Sequence, residues 1–433
     1  MTNVQVSSAP ASGMRDLAPT EVAIRDWATS VIMKTYREFG FTRIETPVME
    51  NIGLLRRGEG GENLSLIFEV LKRGEKLEKE LSSANYKREN LADLGLRFDL
   101  TVPLVRFYAN NQNILPTPLK AIQMGPVFRA ESPGPTRFRQ FTQCDIDVIG
   151  MKSELVEMEL LQATSQALLE LGFKDFTVRI NDRRILSELA RSFGFAEDRQ
   201  ETVFIALDKL DKVGVAGVKK ELEAHDHSAE VVCKMTDFLE ILGTTDSALN
   251  ERKKQLPDSI DAEVWQALVN VVTAVSDVAK GRYNIVFDPT LVRGMGYYTG
   301  QIFEISCPGY SSSVAGGGRY DKMVGKFTGR DVPACGFSIG FERIISILLS
   351  ENFKPPAETQ KVALIFETDR DDLVDVLKKA DGLRNSGHSV CVLTRKKDFR
   401  KQLDSLVNQD FTSFASYKGT DVEPEIKLLT KSE

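Results

Sequence analysis

Phe128-Arg129-Ala130-Glu131-Ser132-Pro133-Gly134-Pro135-Thr136-Arg137-Phe138-Arg139-Gln140-Phe141 is the stretch from which the rest of the chain is read. Strand-like text over 120–129 and 139–150 flanks a Pro-Gly-Pro turn, which predicts a strand–loop–strand hairpin. Side chains alternate across a strand. Arg129 and Glu131 therefore share a face of the first strand, and Arg139, Phe141, Gln143, Asp145 and Asp147 share a face of the second. A sheet face lined by Arg, Glu, Gln and Asp is a poor core. It suits a ligand with phosphate and polar groups, because arginine offers a permanently charged planar fork to phosphate oxygens. Taken alone, the same face reads equally as an exposed sheet surface with cross-strand ion pairs.

On the N-terminal side, Val22, Ile24, Trp27, Ala28, Val31, Ile32 and Tyr36 recur at helical spacing. They predict a helix over 20–39, with Thr20 as its N-cap and Gly40 as its stop. A short extended piece follows and ends at Pro47. The charged text over 73–90 reads as a surface excursion, and 94–105 has strand or mixed character. Beyond the hairpin, 154–171 is an amphipathic helix closed by Gly172, and 176–180 is a strand. From 186 to 278 the pattern is helical throughout. Strands return at 283–287 and 301–306, then a glycine-dense stretch, then a helix at 341–350. Pro355-Pro356-Ala357 reads as a linker. Strand, helix and strand at 362–366, 371–386 and 388–393 make a βαβ unit.

Composition narrows the function classes. A chain of 433 residues exceeds one compact core, so two or three domains are expected. No apolar run reaches the ~20 residues of a membrane helix. The opening residues, 1–12, are small and polar and lack a secretion signal's pattern, so the chain reads as cytoplasmic with a loose leader. A net charge of −6 does not describe a protein that coats nucleic acid without selectivity, although it permits a local basic surface. Cys144, Cys233, Cys307, Cys335 and Cys391 form no CxxC pair, which argues against a disulfide scaffold and a zinc site. The histidines are His225, His227 and His388, the first two in an acidic loop-like stretch. Any mechanism must therefore run without a catalytic histidine.

Three further stretches carry arginine, carboxylate, glycine and tyrosine where a core wants aliphatics. They are Leu96-Arg97-Phe98-Asp99-Leu100-Thr101, then Leu291-Val292-Arg293-Gly294-Met295-Gly296-Tyr297-Tyr298-Thr299-Gly300, then Ala315-Gly316-Gly317-Gly318-Arg319-Tyr320-Asp321 with Gly336 to Arg343. Glycines let backbone approach a ligand closely. Gly316-Gly317-Gly318 has neither a Walker lysine nor GxGxxG spacing, and by itself reads as a flexible turn.

In order along the chain, the helix ending before Pro47, the Phe-Arg-x-Glu hairpin and the Gly-x-x-x-Gly-x-Glu-Arg segment resemble motifs 1, 2 and 3 of the class II aminoacyl-tRNA synthetases. Within that class, 291–300 and 316–321 resemble the two histidine-specific motifs of the histidyl-tRNA synthetases. Leu96 to Pro103 and Ala206-Leu207-Asp208-Lys209-Leu210-Asp211 are similar to that family as well.

The resemblance implies an α+β and α/β multidomain chain. It divides into a class II antiparallel-sheet catalytic domain over 1–185 and 279–354, a helical insertion over 186–278, and a C-terminal α/β anticodon-binding-like domain over 355–433. It implies a ligase that activates L-histidine with ATP and Mg²⁺ and passes it to tRNA(His), acting as a homodimer whose interface is built on motif 1. The attacking carboxylate is already ionised at neutral pH, so preorganised cations suffice. By position, Arg129, Arg293 and Arg343 are the catalytic arginines. Arg129, Glu131, Arg139 and Arg343 fall to ATP. Asp99, Thr101, Gln143, Asp147, Arg293, Tyr297, Tyr298 and Tyr320 fall to histidine. Arg137 and the basic run Arg395, Lys396 and Lys397 fall to tRNA.

Two departures stand out. Gly296 occupies a place where the family usually has an acidic residue, and Gly134 one where many members carry glutamine. The tail also reads as short, ending near Leu429 without a final helix. The rival reading is the family's paralogue that regulates ATP phosphoribosyltransferase and binds histidine without charging tRNA. That paralogue lacks the anticodon domain and has eroded ATP-binding arginines, whereas Arg129, Arg343 and the βαβ tail are present here.

Overall fold

The computed structural model describes residues 8–58, 61–83, 87–134, 137–242, 249–293, 297–310, 312–356 and 359–430. Gly294, Met295 and Gly296, Pro135 and Thr136 of the hairpin loop, Ala357 of the linker and residues 1–7 of the leader lie outside the described residues. Two compact units divide the chain, 1–353 and 354–433.

Helix α1 (Pro19–Glu38) opens the first unit. Thr20 does not cap it. Ala18 stands at the N-cap without a side-chain bond, and Pro19 takes the first helical turn, where its missing N–H costs nothing. Ile24, Ala28, Ile32 and Tyr36 are buried at intervals of four and point into the core. Gly40 adopts φ +78° just past the helix, as a helix stop requires. Strand β1 (Thr42–Arg43) follows. A small three-stranded sheet is built from β2 (Met49–Asn51), β3 (Glu69–Leu71) and β4 (Ala92–Leu96), with α2 (Ile52–Gly58) and α3 (Glu75–Leu81) beside them in sequence. The stretch expected as strand or mixed, 94–105, is divided. It leaves β4 and turns into α4 (Thr101–Asn111). Pro103 is accommodated in that helix's first turn, which needs no donor there.

The hairpin strands are β5 (Leu119–Phe128) and β6 (Gln140–Ile149), paired antiparallel over their full length. Helix α5 (Leu155–Glu170) and β7 (Thr177–Asp182) come next. Six helices then succeed one another: α6 (Arg183–Phe193), α7 (Gln200–Leu207), α8 (Leu210–Ala224), α9 (Ala229–Leu242), α10 (Leu249–Lys254) and α11 (Ala262–Ala279). They do not form a separate core throughout. Val264, Leu268, Val271 and Val275 of α11 join the main core with α5, whereas α6 to α9 share a cluster of their own. Strands β8 (Asn284–Phe287), β9 (Gln301–Ser306), β10 (Ala315–Arg319) and β11 (Ala334–Ile339) complete the sheet, with α12 (Asp321–Thr328) between the last two and α13 (Phe341–Ser350) after them.

The large sheet has eight strands in the order β1-β5-β6-β11-β10-β9-β7-β8. Its interior pairs are antiparallel, and only the two edge pairs are parallel. Period-two alternation separates its faces. Cys144, Ile146, Phe303, Phe337 and Ile339 pack one face against α1, α5, α11 and α13. The opposite face carries the polar column of β6 and the glycines of β10 and β11.

The second unit pairs β12 (Lys361–Phe366) in parallel with β13 (Ser389–Thr394) and β14 (Ser413–Ser416), and β15 (Lys427–Leu428) closes its edge antiparallel to β14. Helix α14 (Leu373–Asn385), capped by Asp372, makes the crossover from β12 to β13, and α15 (Phe399–Val407), capped by Asp398, precedes β14. Parallel strands require such crossovers.

Candidate active site

The polar face becomes a cavity of about 480 Å³ because two neighbouring strands, β10 and β11, set glycines on it. Gly316 pairs with Ser338, and Gly336 pairs with Asp147. The glycine-dense stretch is thus an interior strand, not a loose turn. A Cβ on Gly336 would stand 2.0 Å from Asp147 Oδ1, and one on Gly316 about 2.5 Å from the Arg293 guanidinium. A Cβ on Gly317 would stand 2.1 Å from the Gly336 carbonyl oxygen. The glycines therefore make room for a carboxylate, an arginine and a close strand approach.

Arg129, Arg293 and Arg343 line this one cavity from three distant parts of the chain. Arg129 leaves the end of β5, where its backbone N–H donates to the Arg139 carbonyl. Its Nε donates to the Phe98 carbonyl at 3.1 Å, and its guanidinium lies over the Phe141 ring. Arg293 donates from Nη1 to Glu304 Oε2 at 2.8 Å, and its buried Nε has no partner. Burial opposes its charge, but Tyr298, Glu304 and Asp208 outweigh that and hold its pKa above the ordinary arginine value. Arg343 stands in the first turn of α13 and donates to the Ser313 carbonyl. Burial, together with repulsion from Arg293, Arg137 and Arg129, pulls its pKa down. Three guanidiniums that repel one another in a half-buried cavity call for an anion between them.

The deep end is acidic and aromatic. Tyr320, 2% exposed, donates its hydroxyl to Asp147 Oδ1 at 2.6 Å, and Asp147 Oδ2 has no partner. Tyr297 packs edge-on against Tyr320 and beside Tyr298. Asp99 Oδ1 accepts from the Val102 N–H, and Thr101 begins α4 beside it, so the helix start fixes both. Gln143 reaches the cavity with Oε1 unpartnered. Burial drives the Asp145 and Asp147 carboxyls up to about 7, reinforced at Asp145 by the charge of Asp147 and at Asp147 by that of Asp99.

Arg139 and Arg137 behave differently from their neighbours. Arg139 does not line the cavity, because alternation fails where the strand begins. It turns back to donate to the Glu131 carbonyl at 3.0 Å and to the Ser12 carbonyl. Arg137 stands exposed at the rim, 3.8 Å from Glu131. Arg395, Lys396 and Lys397 are exposed on the connection between β13 and α15 in the second unit, with Arg395 over the Phe399 ring.

Several residues that the motif reading gave no role help to build the site. Glu342 accepts from both Arg25 nitrogens, at 2.7 and 2.8 Å, and from the Thr142 N–H, which ties α1, β6 and α13 together behind the site. Glu304 anchors Arg293, and Asp208 brings the helical segment to the cavity wall. Asp145 was legible from its place in the alternating column. Glu304 carried no local signal.

Comparison with known proteins agrees with this geometry. Residues 13–344 match the family model described as histidyl-tRNA synthetase. The histidine–tRNA ligase of Leifsonia xyli subsp. xyli is 43% identical over 94% of both chains. The crystal structure of histidyl-tRNA synthetase from Nostoc sp. PCC 7120 superposes with a TM-score of 0.78 at 28% identity, covering 98% of this chain and 95% of that one. A Bacillus halodurans structure titled as an ATP phosphoribosyltransferase regulatory subunit/histidyl-tRNA synthetase shares the fold, with a TM-score of 0.73 at 19% identity over 96% of this chain and 98% of that one. With a site of converging arginines over a tyrosine-and-carboxylate pocket, and with these relatives along nearly its whole length, the chain belongs to the histidyl-tRNA synthetase family.

Proposed function

We infer that this chain is a histidine–tRNA ligase that forms histidyl-adenylate from L-histidine and ATP, releases pyrophosphate, and passes the histidyl group to the 3′ end of tRNA(His). The observation that carries this reading is the approach of Arg129, Arg293 and Arg343 to one cavity whose far wall is the Tyr320–Asp147 pair. The histidine carboxylate attacks the α-phosphate directly and needs no base. Arg293 and Arg129 hold the carboxylate and α-phosphate in line, and Arg343 takes the terminal phosphate beside the adenine. Arg293 thereby supplies much of the charge that a metal supplies elsewhere. Glu131 serves the ATP side. Arg139 serves it indirectly, since its bond to the Glu131 carbonyl positions that strand end.

Asp147 and Tyr298 meet the imidazole, with Tyr297 and Tyr320 as walls and the Tyr320 hydroxyl holding Asp147, and Asp99, Thr101 and Gln143 meet the amino end. Polar groups left unpaired by a ligand without that ring penalise its binding. Among the described residues no three His, Cys, Asp or Glu side chains make a metal site. Mg²⁺ would come with the ATP substrate and neutralise its phosphate charge, and Glu131 and Glu304 are the cavity carboxylates that would hold it there.

The domain reading assigns 1–185 and 279–354 to catalysis, 186–278 to an insertion and 355–433 to anticodon binding through Arg395, Lys396 and Lys397, with Arg137 meeting the acceptor end. Motif 1 supports a homodimer. No helix among the described residues is long and apolar enough to cross a membrane, in keeping with a cytoplasmic enzyme. Gly134 in place of glutamine supports a weak or different use of the extra 5′ guanosine of tRNA(His). Charging of tRNA with and without that nucleotide checks this point, and a large loss on its removal counts against it.

The central experiment is histidine-dependent exchange of pyrophosphate into ATP. A ligase shows it, and a histidine-binding regulator or a tRNA-binding module does not.

A further inference from the structure

Gln143, Asp145 and Asp147 stand in one column on the cavity face of β6, and residues two apart on a strand are spaced about 7 Å. The proposed roles occupy both ends of this column and leave its centre unassigned. Asp145 is 4% exposed, lines the cavity, and has no partner for Oδ1. Its strand neighbours are Gln123 on β5 and Ser338 on β11. Gln123 is committed, since its Nε2 donates to the Leu100 carbonyl at 2.9 Å. The charged groups that face Asp145 are Asp147, Arg97 and Arg129. Both arginines have bonds of their own, Arg97 to the Pro126 and Thr46 carbonyls and Arg129 to the Phe98 carbonyl. Such a carboxylate oxygen asks for a cationic donor from the ligand.

A histidine whose ring meets Asp147 and whose carboxylate points toward Arg293 places its α-nitrogen about one strand step from the ring, over Asp145. We propose that Asp145 is a further amino-acid-binding residue, which holds the α-ammonium of the substrate jointly with Asp99 and makes a free α-amino group a condition of binding. This inference rests on the ligase reading above and adds to it the residue that enforces the amino group.

The test uses the full chain and three ligands. Histidinol keeps the ammonium and ring, the deamino analogue imidazolepropionate keeps the ring and carboxylate without the ammonium, and ATP probes the other subsite. In Asp145→Asn the side chain keeps its shape and loses a buried charge, so the fold is retained. Asp145→Ser is a second variant without an amide, and thermal unfolding checks both. Histidinol affinity should fall about tenfold or more, and the KM for histidine in exchange should rise by a similar factor. Imidazolepropionate affinity and the KM for ATP should stay within about twofold of the parent. Parent-like histidinol binding in a folded variant overturns the proposal. So does an equal loss for all three ligands, which marks a general collapse of the pocket. Absence of exchange in the parent chain sinks the ligase reading instead.

Discussion

At the scale of single residues, the site is governed by what is missing from β10 as much as by what is present. Gly316 and Gly317 are adjacent, yet their substitution to alanine should fail in different ways. The new Cβ at 316 meets the far end of the Arg293 side chain, which can move. Gly316→Ala should therefore keep its unfolding midpoint and lose exchange activity by about 10²-fold, the scale of displacing one preorganised cation. The new Cβ at 317 meets the Gly336 carbonyl and the Phe337 backbone, which cannot move without breaking the strand pair. Gly317→Ala should lower stability first, on the order of 2–4 kcal/mol. Thermal melts and exchange rates on the pair tell the two apart, and similar behaviour of both would contradict this account of the strand.

The buried carboxylates give a pH dependence whose sign can be worked out. Asp145 and Asp147 have folded values near 7, against an ordinary 3.8, because burial disfavours their charge. Between those limits the folded chain binds more protons than the unfolded chain. The stability these groups contribute is therefore present at low pH and lost as pH rises through that window. In the absence of ligand, their part of the unfolding free energy should decline from about pH 4 to pH 7. Asp145→Asn should flatten that slope and raise the midpoint at pH 8. An unchanged slope in the variant refutes the assignment of the titration to Asp145.

At the scale of elements, the helical segment reaches the cavity through the start of α8. Arg179 on β7 donates to Asp288 at 2.6 Å and to Asp211 at 2.9 Å, so one guanidinium joins the sheet to that helix. Gly214 breaks α8 at φ +66°, which sets residues 210–213 off from the rest of the helix. Asp211 is largely exposed, so its bond adds under about 1 kcal/mol to global stability. Its effect should be local. Asp211→Asn should leave the melting midpoint within about 2 °C of the parent while amide exchange across 207–213 quickens. Unchanged protection there would show that packing alone holds the segment.

Elements also mark where local reading works. The long helix of 19–38, the hairpin and the βαβ tail are visible because their apolar period agrees with their final state. Three points were misplaced, two by a local feature that overrides the apolar period and one by tertiary neighbours that no window of sequence contains. The helix start at Ala18 and Pro19 needs no side-chain cap because the proline lacks the donor. Thr101 begins a helix although the text around it resembles a strand, because Asp99 accepts from the Val102 N–H once the chain has turned. Gly316 to Gly318 form an interior strand because neighbouring strands and the Arg293 side chain occupy the space their side chains would need.

At the scale of the whole molecule, the two compact units divide labour under the proposed function. Activation chemistry needs only residues within 1–353, whereas the exposed Arg395, Lys396 and Lys397 belong to 354–433. A chain ending at Phe353 should keep histidine-dependent exchange within a few-fold of the parent. Its charging of tRNA(His) should drop by roughly an order of magnitude or more, with a weaker dependence on salt, since phosphate contacts are lost. Equal charging by the short and full chains would remove the second unit from tRNA recognition.

What the amino-acid order determined alone was the identity and sequence of the chemical groups: the alternating acidic column, the arginines beside glycines, and the family they resemble. Those are properties of neighbours along the chain, set by strand and helix period. The convergence of Arg129, Arg293 and Arg343, the anchoring of Arg293 by Glu304, the turning away of Arg139, and the vacant oxygen of Asp145 were decided only by tertiary structure. Each depends on which strand lies beside which in the eight-stranded sheet, and that order is fixed by burial of its apolar face against α1, α5, α11 and α13, a condition satisfied only by the assembled unit.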